Sequence, residues 1–285
     1  MVERGDVVID VDGLRMRYGV VDVLVDVTFQ VCRGEVLALL GPNGAGKSTT
    51  IEVLEGFRGR SAGRVSVLGV DPALAGSAWR GRVGVVLQSW RDHGKWRVRE
   101  LLAYLGSCYA SPWDVDSLVA AVGLEAQAGQ KIRTLSGGQR RRLDVAIGVV
   151  GRPELLFLDE PTVGFDPEAR REFHELVRGL EGTTVLLTTH DLHEAEALAD
   201  RIVVLDRGRV IADGTAAELA RVIVGEDEVR WTVGGQRHVE ATADSTRFAF
   251  DLFRRFGDEV SELEVRRTSL EDTYLALVRQ AEEVA

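Results

Sequence analysis

Apolar and polar residues alternate from Val7 to Tyr18 and again from Asp22 to Val31. A period of two in valine-rich stretches predicts half-buried antiparallel strands. Val36 to Leu40 is instead apolar without interruption, as in a strand covered on both faces. It runs straight into a glycine-rich stretch and then a helical segment, Lys47 to Glu55. Arg64 to Leu68 and Val83 to Gln88 read as further strands. Val98 to Tyr109 and Trp113 to Val122 have helical spacing and few turn residues, which predicts a helical layer over roughly residues 90–150.

From residue 135 onward, helices and strands alternate. The helices are expected at Arg140 to Val150, Pro167 to Leu180 and Leu192 to Asp200, and the strands at Leu155 to Leu158, Thr184 to Thr189 and Ile202 to Asp206. That order predicts a parallel sheet covered by helices. Beyond Asp213 the texture changes: strands at Val229 to Val233 and Arg237 to Ala241 flank the hairpin pair Gly234 and Gly235. A helix is expected near Thr246 to Phe256 and a strand at Leu263 to Arg267, followed by a last helix opened by Ser269 and Asp272, a pair resembling a capping box. The expected organisation is an α/β domain over residues 1–220 and a small α+β domain over 225–285.

Composition narrows function more than fold. Of 285 residues, 45% are hydrophobic and 28% charged, as in an ordinary globular chain. A formal charge of −10 repels a phosphate backbone, and the one basic run, Arg140 to Arg142, is short enough to read as a solvated helix face. No nucleic acid partner is expected. Cys32 and Cys108 lie in unrelated segments and suggest neither a disulfide framework nor a thiolate metal site. No charged-then-apolar leader opens the sequence and no apolar run nears the ~18 residues of a membrane helix. These features predict a cytoplasmic protein whose membrane contact is peripheral or made through a partner.

The chemistry begins after the buried strand. Gly41, Pro42, Asn43, Gly44, Ala45, Gly46, Lys47 and Ser48 match G-x-x-x-x-G-K-S in the context that motif requires, between strand and helix. Glycines leave backbone N–H groups free to surround phosphates, Lys47 offers charge to the outer ones, and Ser48 can ligate Mg²⁺. The glycine order is not the G-x-G-x-x-G of a dinucleotide fold. Leu155 to Glu160 is an apolar strand ending in two carboxylates, which suits Asp159 to Mg²⁺ and Glu160 to orienting or deprotonating a water. Thr183 to His190 is a second apolar strand, delivering His190 to the same sheet edge, within reach of a terminal phosphate. His190, His193 and Glu194 also admit zinc, but their order is H-x-x-H-E rather than H-E-x-x-H, which ranks phosphate contact above it. Finally, Ser136 and Gln139 bracket Gly137 and Gly138 with capping-box spacing. Besides a plain cap, the glycines let an anion approach the helix start.

In this order the motifs resemble the ABC ATPase family over nearly all of residues 1–220. The resemblance implies a P-loop NTPase cassette with a mixed-sheet core, an antiparallel β subdomain and a helical subdomain, which binds ATP with Mg²⁺ and hydrolyses it. It implies that Tyr18 stacks on adenine, that Gly41 to Thr49 form the Walker A loop, and that Gln88 is the Q-loop glutamine, a metal ligand with Ser48 and Asp159. Ser136, Gly137, Gly138 and Gln139 would then be the signature, Asp159 and Glu160 the Walker B pair, Asp166 the D-loop acid and His190 the switch histidine. It also implies that a second cassette, identical or not, joins head to tail so that each signature closes on the other's nucleotide.

Two segments depart from the commonest pattern. Val163 to Asp166 reads V-G-F-D where the family often has S-A-L-D or S-G-L-D, a variant similar to drug-exporter-type cassettes. The polar stretch after Gln88 leads, in the family, to the surface that receives a membrane partner; Trp90 and Trp96 there suit either anchoring or packing. The tail, Leu263 to Leu277, resembles the C-terminal extension of bacterial ABC-2-type exporter ATPases, the group of daunorubicin-resistance-type pumps. Export through a separate ABC-2-type permease is therefore the function implied. The alternatives are an importer subunit, a soluble ABC ATPase acting on ribosomes or DNA, and a purely nucleotide-binding module.

Overall fold

The computed structural model describes residues 6–86, 93–180, 182–223, 227–242 and 244–266. It divides into two compact units, one ending at Val210 and one beginning at Ile211. Gln88, Trp90 and the final helix expected from Ser269 lie outside the described residues.

The first unit opens with β1 (Val7–Tyr18), β2 (Val21–Cys32), β3 (Val36–Leu40) and α1 (Lys47–Leu54), followed by β4 (Ala62–Val67), α2 (Ser77–Arg80) and β5 (Val83–Val86). Next come α3 (Val98–Gly106), α4 (Val115–Ala121) and α5 (Gly137–Val149). The alternating part is β6 (Leu155–Asp159), α6 (Pro167–Arg178), β7 (Thr184–Thr189), α7 (Leu192–Leu198) and β8 (Arg201–Asp206), and β9 (Arg209–Gly214) crosses the unit boundary. The second unit continues with α8 (Ala216–Ile223), β10 (Asp227–Val233), β11 (Gln236–Thr242), α9 (Ser245–Phe256) and β12 (Ser261–Arg266).

Nine strands form one mixed sheet in the order β4-β1-β2-β9-β8-β3-β7-β6-β5. β1 runs antiparallel to β2 and β4. From β8 to β5 the neighbouring pairs are parallel. The hydrophobic pattern explains this division. β6 and β7 are apolar or threonine-rich and buried almost throughout, as strands covered on both faces must be, while β1 and β2 alternate buried and exposed positions. Leu37, Leu39, Phe157, Leu186 and Val203 are each fully buried in the main core, and burying each such side chain contributes about 1.5–3 kcal/mol.

Register decides where chemistry can occur. Leu40 is level with Thr189, and Asp159 is level with Thr188. The chain therefore leaves β3, β6 and β7 at one edge of the sheet, and the loops that follow meet there.

Some expectations shift. α4 starts at Val115 rather than Trp113 because the Asp114 carboxylate accepts the Ser117 N–H at 2.9 Å and so caps it. β9 and α8 were not expected, although Thr215 and Glu218 form a reciprocal capping box at the start of α8. The arginine run on α5 is not a solvated face: Arg141 is only 6% exposed and its two neighbours are half-buried. Arg142 pairs with Glu172 of α6 and Arg140 with Asp144 one turn along α5, so partners both distant and local draw the run inward.

In the second unit, β10 and β11 form the expected hairpin at Gly234 and Gly235, with β12 on the far side of β10. Val229, Trp231 and Leu252 make its small core. Among the described residues, no helix is long and apolar enough to cross a membrane.

Candidate functional site

The glycine-rich loop is shaped by close approaches. A Cβ on Gly41 would lie 2.2 Å from the Leu205 carbonyl oxygen. Gly46 has φ +106°, and a Cβ there would lie 2.5 Å from Leu24 Cδ2. Both positions therefore require glycine. The loop folds back over β3 and opens α1, leaving Asn43, Gly44 and Ser48 exposed, Pro42 and Thr49 half-buried, and Ala45 buried. Lys47 is 5% exposed, and its Nζ donates to the carbonyls of Gly41 at 2.9 Å and Pro42 at 3.2 Å. The ammonium is thus held within the loop that a phosphate would enter.

The acids arrive from β6. Asp159 Oδ1 accepts a 2.5 Å hydrogen bond from the Thr188 hydroxyl, and that hydroxyl accepts the Glu160 N–H at 3.0 Å. Glu160 takes φ +42°, a left-handed conformation that costs a non-glycine residue about 1–3 kcal/mol. The turn brings Glu160 Oε1 to 3.5 Å from Lys47 Nζ and 3.3 Å from His190 Nδ1. Three groups from three different loops thus converge at the edge fixed by the strand register. His190 is about half exposed while Glu160 is largely covered, so the histidine faces the opening.

Around this centre lie Thr188 and Glu55, which the sequence did not single out. Thr188 bonds both acidic positions. Glu55, just past the end of α1, is 8% exposed. Burial first, then the charges of Asp159 and Glu52, push its carboxyl up to about 8. Tyr18, singled out from the sequence, ends β1 with its ring partly exposed and the Arg58 guanidinium 5.1 Å from its centre.

The signature lies elsewhere. Ser136 Oγ accepts the Gln139 N–H at 3.3 Å and Gln139 Oε1 accepts the Ser136 N–H at 3.0 Å, the reciprocal box expected. Asp166 caps α6 through the Ala169 N–H at 2.8 Å. Ser136 to Gln139, Val163 to Asp166 and Glu160 border a cleft of about 890 Å³ that no residue of Gly41 to Thr49 lines. The two helix starts suited to phosphate therefore lie apart within one chain, and Glu160 borders both regions.

A parallel-stranded P-loop core, a carboxylate pair, a histidine bonded to the second carboxylate and a separate glycine-rich helix start define an ATP-binding cassette. The profile of the ABC transporter family matches residues 24–163. The chain is 38% identical to the daunorubicin resistance ATP-binding protein DrrA3 of Streptomyces coeruleorubidus, over 95% of this chain and 96% of that protein. It is 42% identical to the Nod factor export ATP-binding protein I of Neorhizobium galegae, over 76% of this chain and 65% of that protein. A solved ATP-binding subunit of an ABC transporter has the same fold, with a TM-score of 0.71 at 26% identity, over 95% of this chain and 99% of that one. The chain belongs to the ABC transporter family of ATP-binding proteins, whose shared chemistry is ATP binding and hydrolysis coupled to transport.

Proposed function

We propose that this chain is the ATP-hydrolysing motor of an exporter and drives a separate ABC-2-type permease. It works as one of two cassettes joined head to tail, each site combining one chain's Gly41 to Thr49 loop with the other's Ser136 to Gln139 signature. The single observation that carries the catalytic part is the convergence of Lys47 and His190 on Glu160 Oε1. The two-chain site is supported by the distance between signature and loop: a signature-lined cleft without a loop residue needs a second copy to supply the phosphates. Export is supported by the resistance and export functions in the names of the relatives. Residues 1–220 form the cassette and 225–285 an accessory domain for pairing or regulation. Attachment is peripheral, on the cytoplasmic face of the membrane. There Trp96, packed 5.7 Å from His93 and 5.2 Å from the exposed Tyr104, belongs to the face met by the permease.

In this reading the loop's N–H groups and the start of α1 surround the phosphates, and Tyr18 stacks on adenine. Lys47 exchanges its carbonyl and Glu160 contacts for the outer phosphates. Asp159 and Ser48 offer carboxylate and hydroxyl oxygens at the loop, a hard donor set that fits Mg²⁺. Together with Gln88 they would hold the ion, which supplies neutralising charge to the phosphate oxygens. Glu160 orients the attacking water and accepts its proton, a role that contributes typically 10²–10⁴-fold. His190 keeps Glu160 aligned and meets the terminal phosphate.

Glu160→Gln keeps the shape and the backbone anchors but removes the base. ATP binding is expected to persist while turnover falls by about a hundredfold or more; steady-state ATPase within a few-fold of wild type would sink the assignment. Recovery of a stoichiometric polytopic membrane protein with the tagged chain from gently solubilised host membranes supports the motor role. Recovery of ribosomal or nucleoid components alone overturns it.

A further inference from the structure

The buried guanidinium of Arg141 has no role in the chemistry above, yet it sits between the two halves of the proposed site. It lies on α5, little more than one helical turn after the Ser136 cap, and its Nε donates to the Pro161 carbonyl at 2.8 Å. Pro161 directly follows Glu160. The next residue, Thr162, is buried. One hydrogen bond therefore joins the signature helix to the backbone beside Glu160.

Burying a guanidinium is expensive unless it is paired. Here Asp144 Oδ2 lies 4.0 Å from Arg141 Nη1, and the charges of Asp144, Glu194 and Asp159 all favour the cation against the burial that disfavours it. Plain packing at this position makes no demand for a planar donor, although removing the guanidinium alone leaves the facing carboxylate charge uncompensated. A planar donor aimed at the carbonyl next to the catalytic carboxylate is specific in a way that packing is not.

We propose that Arg141 is a positioning residue that ties the signature of this chain to its own Glu160, so that engagement of the signature by the second cassette's nucleotide aligns the carboxylate in the first cassette's site. The inference rests on the two-cassette reading above. It makes hydrolysis at one site depend on occupancy of the other, through a link inside a single chain.

The test uses the full chain as wild type, Arg141→Met and Arg141→Lys. It measures ATPase against ATP concentration, melting temperature, and binding of a fluorescent ATP analogue to the dilute protein. Two coupled sites allow a Hill coefficient up to about two. For Arg141→Met the coefficient is expected to fall toward about one and kcat by about tenfold, with analogue affinity close to wild type and a lowered melting temperature. Arg141→Lys, which keeps the charge and one donor, is expected to recover part of both. Wild-type cooperativity and kcat in Arg141→Met would overturn the proposal, as would loss of affinity, kcat and melting temperature together. Should Arg141→Met fail to fold, Arg141→Lys decides: reduced cooperativity supports the link and unchanged cooperativity refutes it. A wild type with no cooperativity, and no ATP-dependent dimer in Glu160→Gln, removes the two-cassette reading as well. A cooperative wild type with an equally cooperative Arg141→Met removes only the link.

Discussion

Glu55 offers a direct measurement of how the site is held together. It follows the C-terminus of α1, where the helix dipole already disfavours a negative charge, and it is buried near Asp159. Its carboxyl titrates near about 8 in the folded chain against 4.5 as a free side chain. The folded protein therefore keeps this proton over a pH range in which the unfolded chain has lost it. The stability this provides is fully present below pH 4.5 and is lost as pH rises through about 8. Each unit of separation is worth about 1.4 kcal/mol, so raising the pH from about 5 to about 8 removes on the order of 3 kcal/mol through this one group. That is a large share of a domain stability of about 5–15 kcal/mol. Glu55→Gln keeps the shape and cannot ionise. In urea or thermal unfolding of the metal-free, nucleotide-free chain, the variant is expected to match wild type within about 1 kcal/mol at the acidic end. It should exceed wild type by several degrees at the basic end. Parallel stability curves for the two proteins across that range would refute the argument, because the proton retained by Glu55 would then have no energetic consequence.

Three further changes probe other parts of the structure. Gly46→Ala places a Cβ 2.5 Å from Leu24 Cδ2 in a left-handed backbone; nucleotide binding by fluorescence titration is expected to be lost, with an added strain of about 1–3 kcal/mol. Thr188→Val removes the bond to Asp159 and one of the two acceptors of the Glu160 N–H, leaving the Thr188 carbonyl. ATPase assays should find kcat about tenfold lower, from loosened acids rather than lost affinity, with a stability cost of about 1–3 kcal/mol. Trp231→Ala strips the small second core of its contacts with His238 and Phe248. At about 3–5 kcal/mol, hydrogen exchange should accelerate across β10 to β12, while the first unit keeps its protection and its ATP binding.

What the sequence made legible follows from the range of the forces involved. β3, β6 and β7 carry their burial in uninterrupted apolar runs, and the glycine-rich loop carries its shape in residue types that few alternatives satisfy. The capping box at Ser136 is likewise local and formed as expected. Arg141 was misread because Pro161 and Asp159, which meet it through a hydrogen bond and through charge, lie far along the chain, and only Asp144 is near. Nothing in an arginine triplet announces them. Glu55 was missed for the same reason: a carboxylate at a helix end looks solvated until the sheet beside it is built. β9 escaped because its residues are mostly half-exposed and do not alternate cleanly, although the capping pair Thr215 and Glu218 marked the following helix.

The misread residues share a location, and this bears on mechanism. Arg141 and Thr188 both bond backbone or side chains within two positions of Glu160, and Glu55 feels the charge of Asp159. None is required by the loop that binds phosphate. They surround the left-handed turn at Glu160, a conformation that is costly for a non-glycine residue. A strained turn persists only where its surroundings over-determine it, and here those surroundings are buried charges whose balance depends on their neighbours' ionisation and on the position of the signature helix. The geometry of Glu160, held by these partners, is the part of the site that a second cassette can adjust.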